Sequence, residues 1–115
     1  MHISWKKRRP QNGLHRNSII LEALLVDSYA DNGSVKRKLV AHLGGIDEKF
    51  LISKVSNMRE FHQGLFWAGV NRKLDRLKLD TARRDRIEAV ICQTVARPHP
   101  DWALWGVTCI PRFDP

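Results

Sequence analysis

The sequence predicts an α+β domain: a small antiparallel β-hairpin or three-stranded sheet in the first 45 residues, then three helices and a packed apolar tail. Two patterns support this fold class, an Asn-Gly turn between two strand-like segments and a change from alternating to helical hydrophobic spacing after Gly45. The length of 115 residues is a further observation, because it is typical of a single domain of roughly 100–150 residues. Residues 1–115 are therefore expected to form one domain.

Residues 1–18 are polar and basic, and Pro10 and Asn12-Gly13 interrupt any regular element there. Within this stretch Ile3 and Trp5 alternate with polar residues, as in a half-buried strand. The segment is therefore either a flexible basic arm or, in part, an edge strand.

Residues 19–45 are predicted to form a β-hairpin. Asn32-Gly33 supplies the two positive-φ residues that a two-residue hairpin turn requires, and it separates two segments rich in Ile, Leu and Val. A helix over 18–30 is the alternative, because Leu, Ala and Glu favour helices. The turn chemistry favours the strand.

Alternation along the second strand assigns its two faces. Lys36 and Lys38, with Val40 and His42, are expected to face solvent or a ligand. The other face is apolar except for Arg37 and is predicted to face the core, so Arg37 is either a binding residue or a structural one at the sheet edge. That face comprises Val35, Arg37, Leu39, Ala41 and Leu43.

The spacing after Gly45 predicts three helices over residues 46–97. A short one covers 46–55, a long one begins near Ser56 or Asn57 with Glu60 as its capping-box partner and continues to Lys78, and a third runs from Asp80 or Thr81 to about Ala96. Residues 98–115 are too apolar for a disordered tail. They are expected to pack on the body, with a short strand at 104–110, or else to bind a partner.

The net charge of +8 indicates an anionic partner or surface. The excess is uneven: residues 1–45 hold eight Lys/Arg against three Asp/Glu, whereas residues 98–115 hold one against two. Basic residues in the first turns of the third helix oppose the helix dipole, which suggests binding rather than local stability. The predicted nucleic-acid-binding residues are Lys6, Lys7, Arg8, Arg9, Lys36, Arg37 and Lys38, followed by Arg72, Lys73, Arg76, Arg83 and Arg84.

Motifs of catalysis are missing from the sequence. It has no Gly-rich phosphate loop, no GxSxG and no HExxH, and its five histidines are not paired at metal-ligand spacing. We therefore expect no enzymatic activity, no catalytic residue, no metal and no cofactor. His62 lies near the apolar stripe of its helix and is expected to be packed.

Cysteine usage and hydropathy predict a cytoplasmic protein with no membrane partner. Cys92 and Cys109 form no CxxC pair, so two packed thiols in a reducing compartment are expected, although a single disulfide remains open. The apolar run at 19–26 is interrupted by Glu22 and is far shorter than the roughly 20 residues of a membrane span.

The segment LVDSYADNGSVKRKLVAHLG at 25–44 resembles the N-terminal hairpin of bacterial insertion-sequence DDE transposases. The family's usual arginine after the tyrosine is replaced by Ala30, and the chain is too short for the catalytic RNase H-like domain. The resemblance, over residues about 16–46, therefore implies no transposase activity. The matching positions are Leu25, Val26, Ser28, Tyr29, Asn32, Gly33, Val35, Arg37, Leu39 and Leu43-Gly44.

Three further segments are similar to small bacterial proteins from plasmid- or phage-rich genomes that combine such a hairpin with two helices. They are FWAGVNRKLDRL at 66–77, RDRIEA at 84–89 and VARP at 95–98. This similarity implies a mobile-element context.

Three functions follow from these patterns. The first is nucleic-acid binding, with DNA favoured over RNA, through the basic arm and the hairpin. The second is a protein-binding inhibitor or accessory factor of phage or plasmid origin that acts on a host nucleoprotein machine, since four tryptophans suit an interface. The third and least supported is a small nuclease. A homodimer is compatible with the first.

Overall fold

The computed structural model describes residues 1–9, 19–53, 56–100 and 102–105, with no description of the side chains at positions 56, 57, 104 and 105. A three-stranded antiparallel sheet precedes the helices, which confirms the predicted α+β class. The described residues form β1 (His2–Arg8), β2 (Ile20–Asp31), β3 (Ser34–Asp47), α1 (Lys49–Ile52), α2 (Ser56–Leu77), α3 (Thr81–Cys92) and α4 (Trp102–Trp105).

The hairpin and its turn are as predicted, and the helix alternative for 18–30 is wrong. Asn32 and Gly33 have φ values of 49° and 83°, the left-handed pair that lets the two strands reverse without splaying. β1 pairs with β2 over its whole length, with Ile3 opposite Leu25. Lys6, Lys7 and Arg8 therefore belong to an edge strand and not to a flexible arm. Residues 10–18 lie outside the described ranges.

Two β-bulges in β3 overturn the predicted assignment of its faces. Ala23 pairs with Gly44 but Leu24 with His42, and Leu25 pairs with Ala41 but Val26 with Leu39, so Leu43 and Val40 are extra residues in the ladder. Each bulge turns two consecutive side chains toward the same side. Strict alternation therefore fails along β3, and the predicted core positions Val35, Arg37 and Leu39 are exposed.

The core lies between one face of the sheet and helices α2 and α3. Leu25, Val70, Leu74 and Ile91 are fully buried there. Gly44 lies against α2, since a Cβ at this position would be 3.4 Å from the Phe66 ring, an ordinary van der Waals distance. The sheet therefore has a helix-side face, which is packed, and a second face, called here the outer face. The core cluster is Leu21, Ala23, Leu25, Leu43, Ile46, Phe66, Trp67, Val70, Leu74, Ile87, Ile91 and Val95.

The predicted cap of α3 is confirmed, whereas its predicted end is too late. Asp80 precedes the helix in extended conformation, and its carboxylate accepts a 2.8 Å hydrogen bond from the Arg83 backbone N–H. The helix ends at Cys92, before Ala96, and the next residues turn: the Gln93 and Thr94 N–H groups donate to the carbonyls three positions earlier, those of Val90 and Ile91. The capping box proposed for α2 involves side chains outside the description.

The C-terminal segment begins as a helical turn and not as the start of a strand. Residues 102–105 form α4, so the strand predicted at 104–110 is wrong at 104 and 105, and its remainder lies outside the described residues. Trp102 packs against α2 at Gly64, where any Cβ would collide with the indole ring. No helix in the described part of the chain is long and apolar enough to cross a membrane.

Candidate nucleic-acid interface

The outer half of the hairpin is exposed and carries the basic residues Lys36, Arg37 and Lys38. We call residues 27–39 the hairpin tip; all of them are exposed except Asp31, which is half-buried. The tip is about 20 Å long if each residue rises roughly 3.3 Å along its strand. The molecule's longest dimension is 57 Å. The tip thus presents a two-stranded ribbon to the surroundings.

The helix-side face of the tip is nearly balanced in charge. It carries Asp27, Tyr29 and Asp31 from β2, opposite Lys38, Lys36 and Ser34 of β3. The Lys36 ammonium lies 2.9 Å from the Asp31 carboxylate, and the Asp27 carboxylate lies 3.5 Å from the N-terminal ammonium. Two carboxylates therefore accompany the two lysines on this face.

The outer face of the tip carries one charged side chain and no carboxylate. Arg37 lies opposite Ser28, and it forms no ion pair with any described residue. Val35 and Leu39 stand on either side of it along the strand and are 77% and 58% exposed. A single arginine thus lies between two exposed apolar side chains.

The N-terminal basic residues, Lys6 to Arg9, divide into paired and unpaired members. Lys7 lies 3.4 Å from Glu48, and the Arg8 Nε donates to Glu22 at 2.6 Å. The Arg8 hydrogen bond lowers the pKa of Glu22 against the opposing effect of burial, and His42, 3.6 Å away, adds to the lowering. Lys6 and Arg9 are exposed and have no carboxylate partner among the described residues.

The basic residues of α2 lie beside the edge of β3. The Lys73 ammonium donates a 2.7 Å hydrogen bond to the His42 carbonyl oxygen, which commits this residue to joining helix and sheet. Arg72 and Arg76 are exposed one turn apart. Because Phe66 lies by Gly44 and Lys73 by His42, α2 runs antiparallel to β3, and Arg76 therefore lies nearer the hairpin tip.

Two arginines of α3 are held by the fold itself. Arg84 binds Asp75 of α2 and Glu88 of its own helix, and the Asp75 hydrogen bond is the main reason that its pKa is raised. Arg83 lies 3.5 Å from Asp80, the cap of the same helix. Arg84 in particular connects α2 to α3, so its placement against the helix dipole has a structural explanation that sequence reasoning missed.

A groove beside α3 contains a basic residue that the prediction left out. Arg86 is exposed and lines, with Arg83, a cavity of about 560 Å³ between α3 and the start of β1. Ile87 and Val90 supply its apolar wall. The helical spacing of these four residues, at 83, 86, 87 and 90, is the signal that would have found it.

Apart from Tyr29, which is exposed, the described aromatic side chains are used in packing. Trp5 stacks on Phe66 with ring centroids 6.2 Å apart, and the Trp67 indole N–H donates to the Val95 and Ala96 carbonyls at 3.1 Å each. His62 is half-buried and stacks on Phe50 at 3.7 Å, which confirms the expected packed histidine; burial is the main cause that lowers its pKa. Cys92, likewise half-buried, is a free thiol, and Cys109 lies outside the described residues. Among the described residues no three His, Cys, Asp or Glu side chains are grouped as a metal site.

Comparison with known proteins gives no relative: no family model matches the chain, and neither curated proteins nor solved structures show a match.

Proposed function

We propose that this chain is a non-catalytic nucleic-acid-binding protein that binds duplex DNA. The observation that carries the proposal is the hairpin tip, a projecting two-stranded ribbon whose β3 strand carries the consecutive exposed residues Lys36, Arg37 and Lys38. The major groove of B-DNA, about 12 Å wide, admits a two-stranded β-ribbon. The shape and charge of the tip therefore fit the groove.

Phosphate contacts come from the basic residues that the fold leaves without a carboxylate partner. In the described ranges, seven of the twelve predicted residues have no such partner, and one of these, Lys73, is held by the His42 carbonyl. The six that remain are Lys6, Arg9, Arg37, Lys38, Arg72 and Arg76. Six phosphate contacts would lower the affinity roughly 10³-fold between about 50 and 200 mM salt. Phosphate contacts of this kind position a protein without specifying sequence.

The biological setting is part of the same proposal. The resemblance of residues 25–44 to the transposase hairpin supports a phage, plasmid or transposon protein that acts on DNA in the bacterial cytoplasm. The resemblance covers the hairpin alone, so DNA binding is the part of that activity proposed here.

The second candidate is a protein-binding factor of phage or plasmid origin that acts on a host nucleoprotein machine. Its support is the exposure of Val35 and Leu39, because apolar side chains on a projecting ribbon suit a protein interface. The tryptophans give this function little support, since Trp5, Trp67 and Trp102 pack within the fold.

The test is equilibrium binding of the purified protein to a random-sequence duplex and a single strand of equal length over a range of salt. We expect micromolar or tighter duplex binding at low salt, with a linear log–log salt dependence whose slope counts phosphates at roughly 0.9 each. The double variant Arg72→Ala/Arg76→Ala should lower the slope by about 1.8. Lys49→Ala serves as the control, because that lysine lies 3.7 Å from Asp47. Absence of binding at low salt would refute the proposal and favour the protein-partner function.

A further inference from the structure

The two faces of the hairpin tip differ in chemistry, and this difference identifies the face that meets DNA. We propose that the outer face enters the major groove, with Arg37 contacting the edge of a guanine and with Val35 and Leu39 contacting thymine methyl groups. The inference rests on the proposed function and assigns the residue that confers sequence preference. It reverses the sequence-based expectation, in which Lys36 and Lys38 face the ligand and Arg37 faces the core.

Charge distinguishes the two faces. The phosphates that flank a groove repel carboxylates, and the helix-side face carries Asp27 and Asp31. On that face Lys36 already has Asp31 as its partner at 2.9 Å. The outer face of the tip has no carboxylate, and the nearest one along β2, Glu22, lies six residues from Ser28, or about 20 Å. Only the outer face is therefore purely cationic.

The neighbours of Arg37 leave its guanidinium accessible. Its cross-strand partner is Ser28, a small residue, and the next pair toward the turn is Ala30 opposite Val35. The planar guanidinium donates two parallel hydrogen bonds to O6 and N7 of guanine in a fixed fork, whereas the lysine ammonium is a point charge on a flexible stem. Arg37 is thus chemically suited to contact a base.

The apolar neighbours have the right exposure and spacing for base contacts. Val35 and Leu39 are 77% and 58% exposed, so contact with a thymine methyl removes apolar surface from water. Residues two apart on a strand are separated by about 7 Å, close to two base steps of about 3.4 Å. The expected preferred site has a guanine with thymines about two positions to each side.

The experiment is selection of bound sequences from a randomised duplex pool, with the wild-type protein and two variants. We expect the wild type to prefer guanine at one position by about 5- to 150-fold. Arg37→Lys keeps the charge but removes the fork of parallel donors, so it should retain the random-duplex affinity and salt slope and reduce the guanine preference. Lys36→Ala, the adjacent residue on the opposite face, should retain that preference. Circular dichroism and the urea midpoint check that each variant is folded.

The remaining outcomes separate this inference from the proposed function. If the wild type binds duplex but shows no guanine preference, or if Arg37→Lys leaves that preference undiminished, the assigned face is wrong while DNA binding stands. If Val35→Ser/Leu39→Ser converts a dimer to a monomer and leaves DNA binding unchanged, the outer face is a protein interface and the inference fails. If the wild type binds no nucleic acid at low salt, both proposals fail.

Discussion

The base of the hairpin and its tip are made by the same two strands but have opposite environments. In the base, residues 20–26 and 40–47, β2 lies between two neighbouring strands and its helix-side residues are buried. In the tip β2 has a single neighbour in the described chain, since β1 begins at His2, opposite Val26. The two bulges lie in the base or at its boundary, and the tip pairs in regular register. β1 and the buried core therefore end at the same level of the hairpin.

This difference shows how one hairpin combines anchorage and exposure. An isolated two-stranded ribbon is marginally stable in water, so the tip depends on the base to hold its strands together. The tip itself contributes little to the core. Its side chains are consequently replaceable without loss of the fold, and four predictions test this, beginning with the largest effect.

Leu25→Ala should lower the free energy of unfolding by about 2–5 kcal/mol, because Leu25 is fully buried and its removal leaves a cavity. Leu39→Ala, in the tip, should change it by no more than about 0.5 kcal/mol. Urea unfolding of both variants measures the contrast. Equal losses would show that the tip is part of the cooperative core.

Replacement of residues 28–37 by Asn-Gly should weaken duplex binding at least about tenfold, or 1.4 kcal/mol, and alter the free energy of unfolding by less than about 1 kcal/mol. The pair Asp27–Lys38 lies four residues before the turn-flanking pair Asp31–Ser34, so a two-residue turn fits there with the same pairing geometry. Binding titrations and urea unfolding give the two values. Undiminished affinity would place the DNA contacts elsewhere.

Gly33→Ala should destabilise the tip by about 1 kcal/mol, because Gly33 has φ +83° and a side chain there strains the backbone. Nothing lies within 4 Å of an added Cβ, so the effect is conformational and not steric. Amide hydrogen exchange measures this effect: protection should fall in the tip and stay unchanged in the base. Asn32→Gly is the matched control, since glycine also adopts positive φ. A loss of protection in the base would contradict the independence of the tip.

Glu22→Gln tests the base through pH and should have the smallest effect. The pKa of Glu22 is lowered by the hydrogen bond from Arg8, so its carboxylate stabilises the fold above the ordinary glutamate pKa of about 4.3 and loses that contribution as the pH falls through the lowered pKa. At neutral pH the free energy of unfolding of the wild type should exceed that of the variant by roughly a few tenths of a kcal/mol. The difference should vanish at low pH. Urea unfolding midpoints of both proteins at neutral and at low pH measure this difference. A difference that persists at low pH would show that it comes from packing of the side chain and not from its charge.

Local chemistry made much of this fold predictable. Asn32-Gly33 specifies a hairpin turn by itself, and Asp80 specifies a helix start through one hydrogen bond. The face assignment failed because two bulges shift the register of β3, which alternation does not encode. A signal was nevertheless present: Leu43 and Ile46 differ in parity, so a regular strand cannot bury both on one side.

The candidate site was predictable in composition but not in arrangement. The sequence shows which residues are basic, but the partners of Arg8, Lys73 and Arg84 come from 14, 31 and 9 or 4 positions away along the chain. Whether a cation is available to a ligand depends on such contacts. Arg37 was placed on the wrong face for the same reason, because its orientation follows from bulges outside the tip.

The hydrogen bonds of Trp67 can form only late in synthesis at the ribosome. Its indole N–H is satisfied by carbonyls 28 and 29 positions later, and Arg97 then covers the ring at 4.2 Å. When the nascent chain has emerged only to the end of α2, the Trp67 ring is exposed. Its indole N–H then lacks the two carbonyl acceptors of the folded protein, because they lie later in the chain. The sheet and α2 therefore leave the exit tunnel before Val95, Ala96 and Arg97, whose contacts complete the surroundings of Trp67.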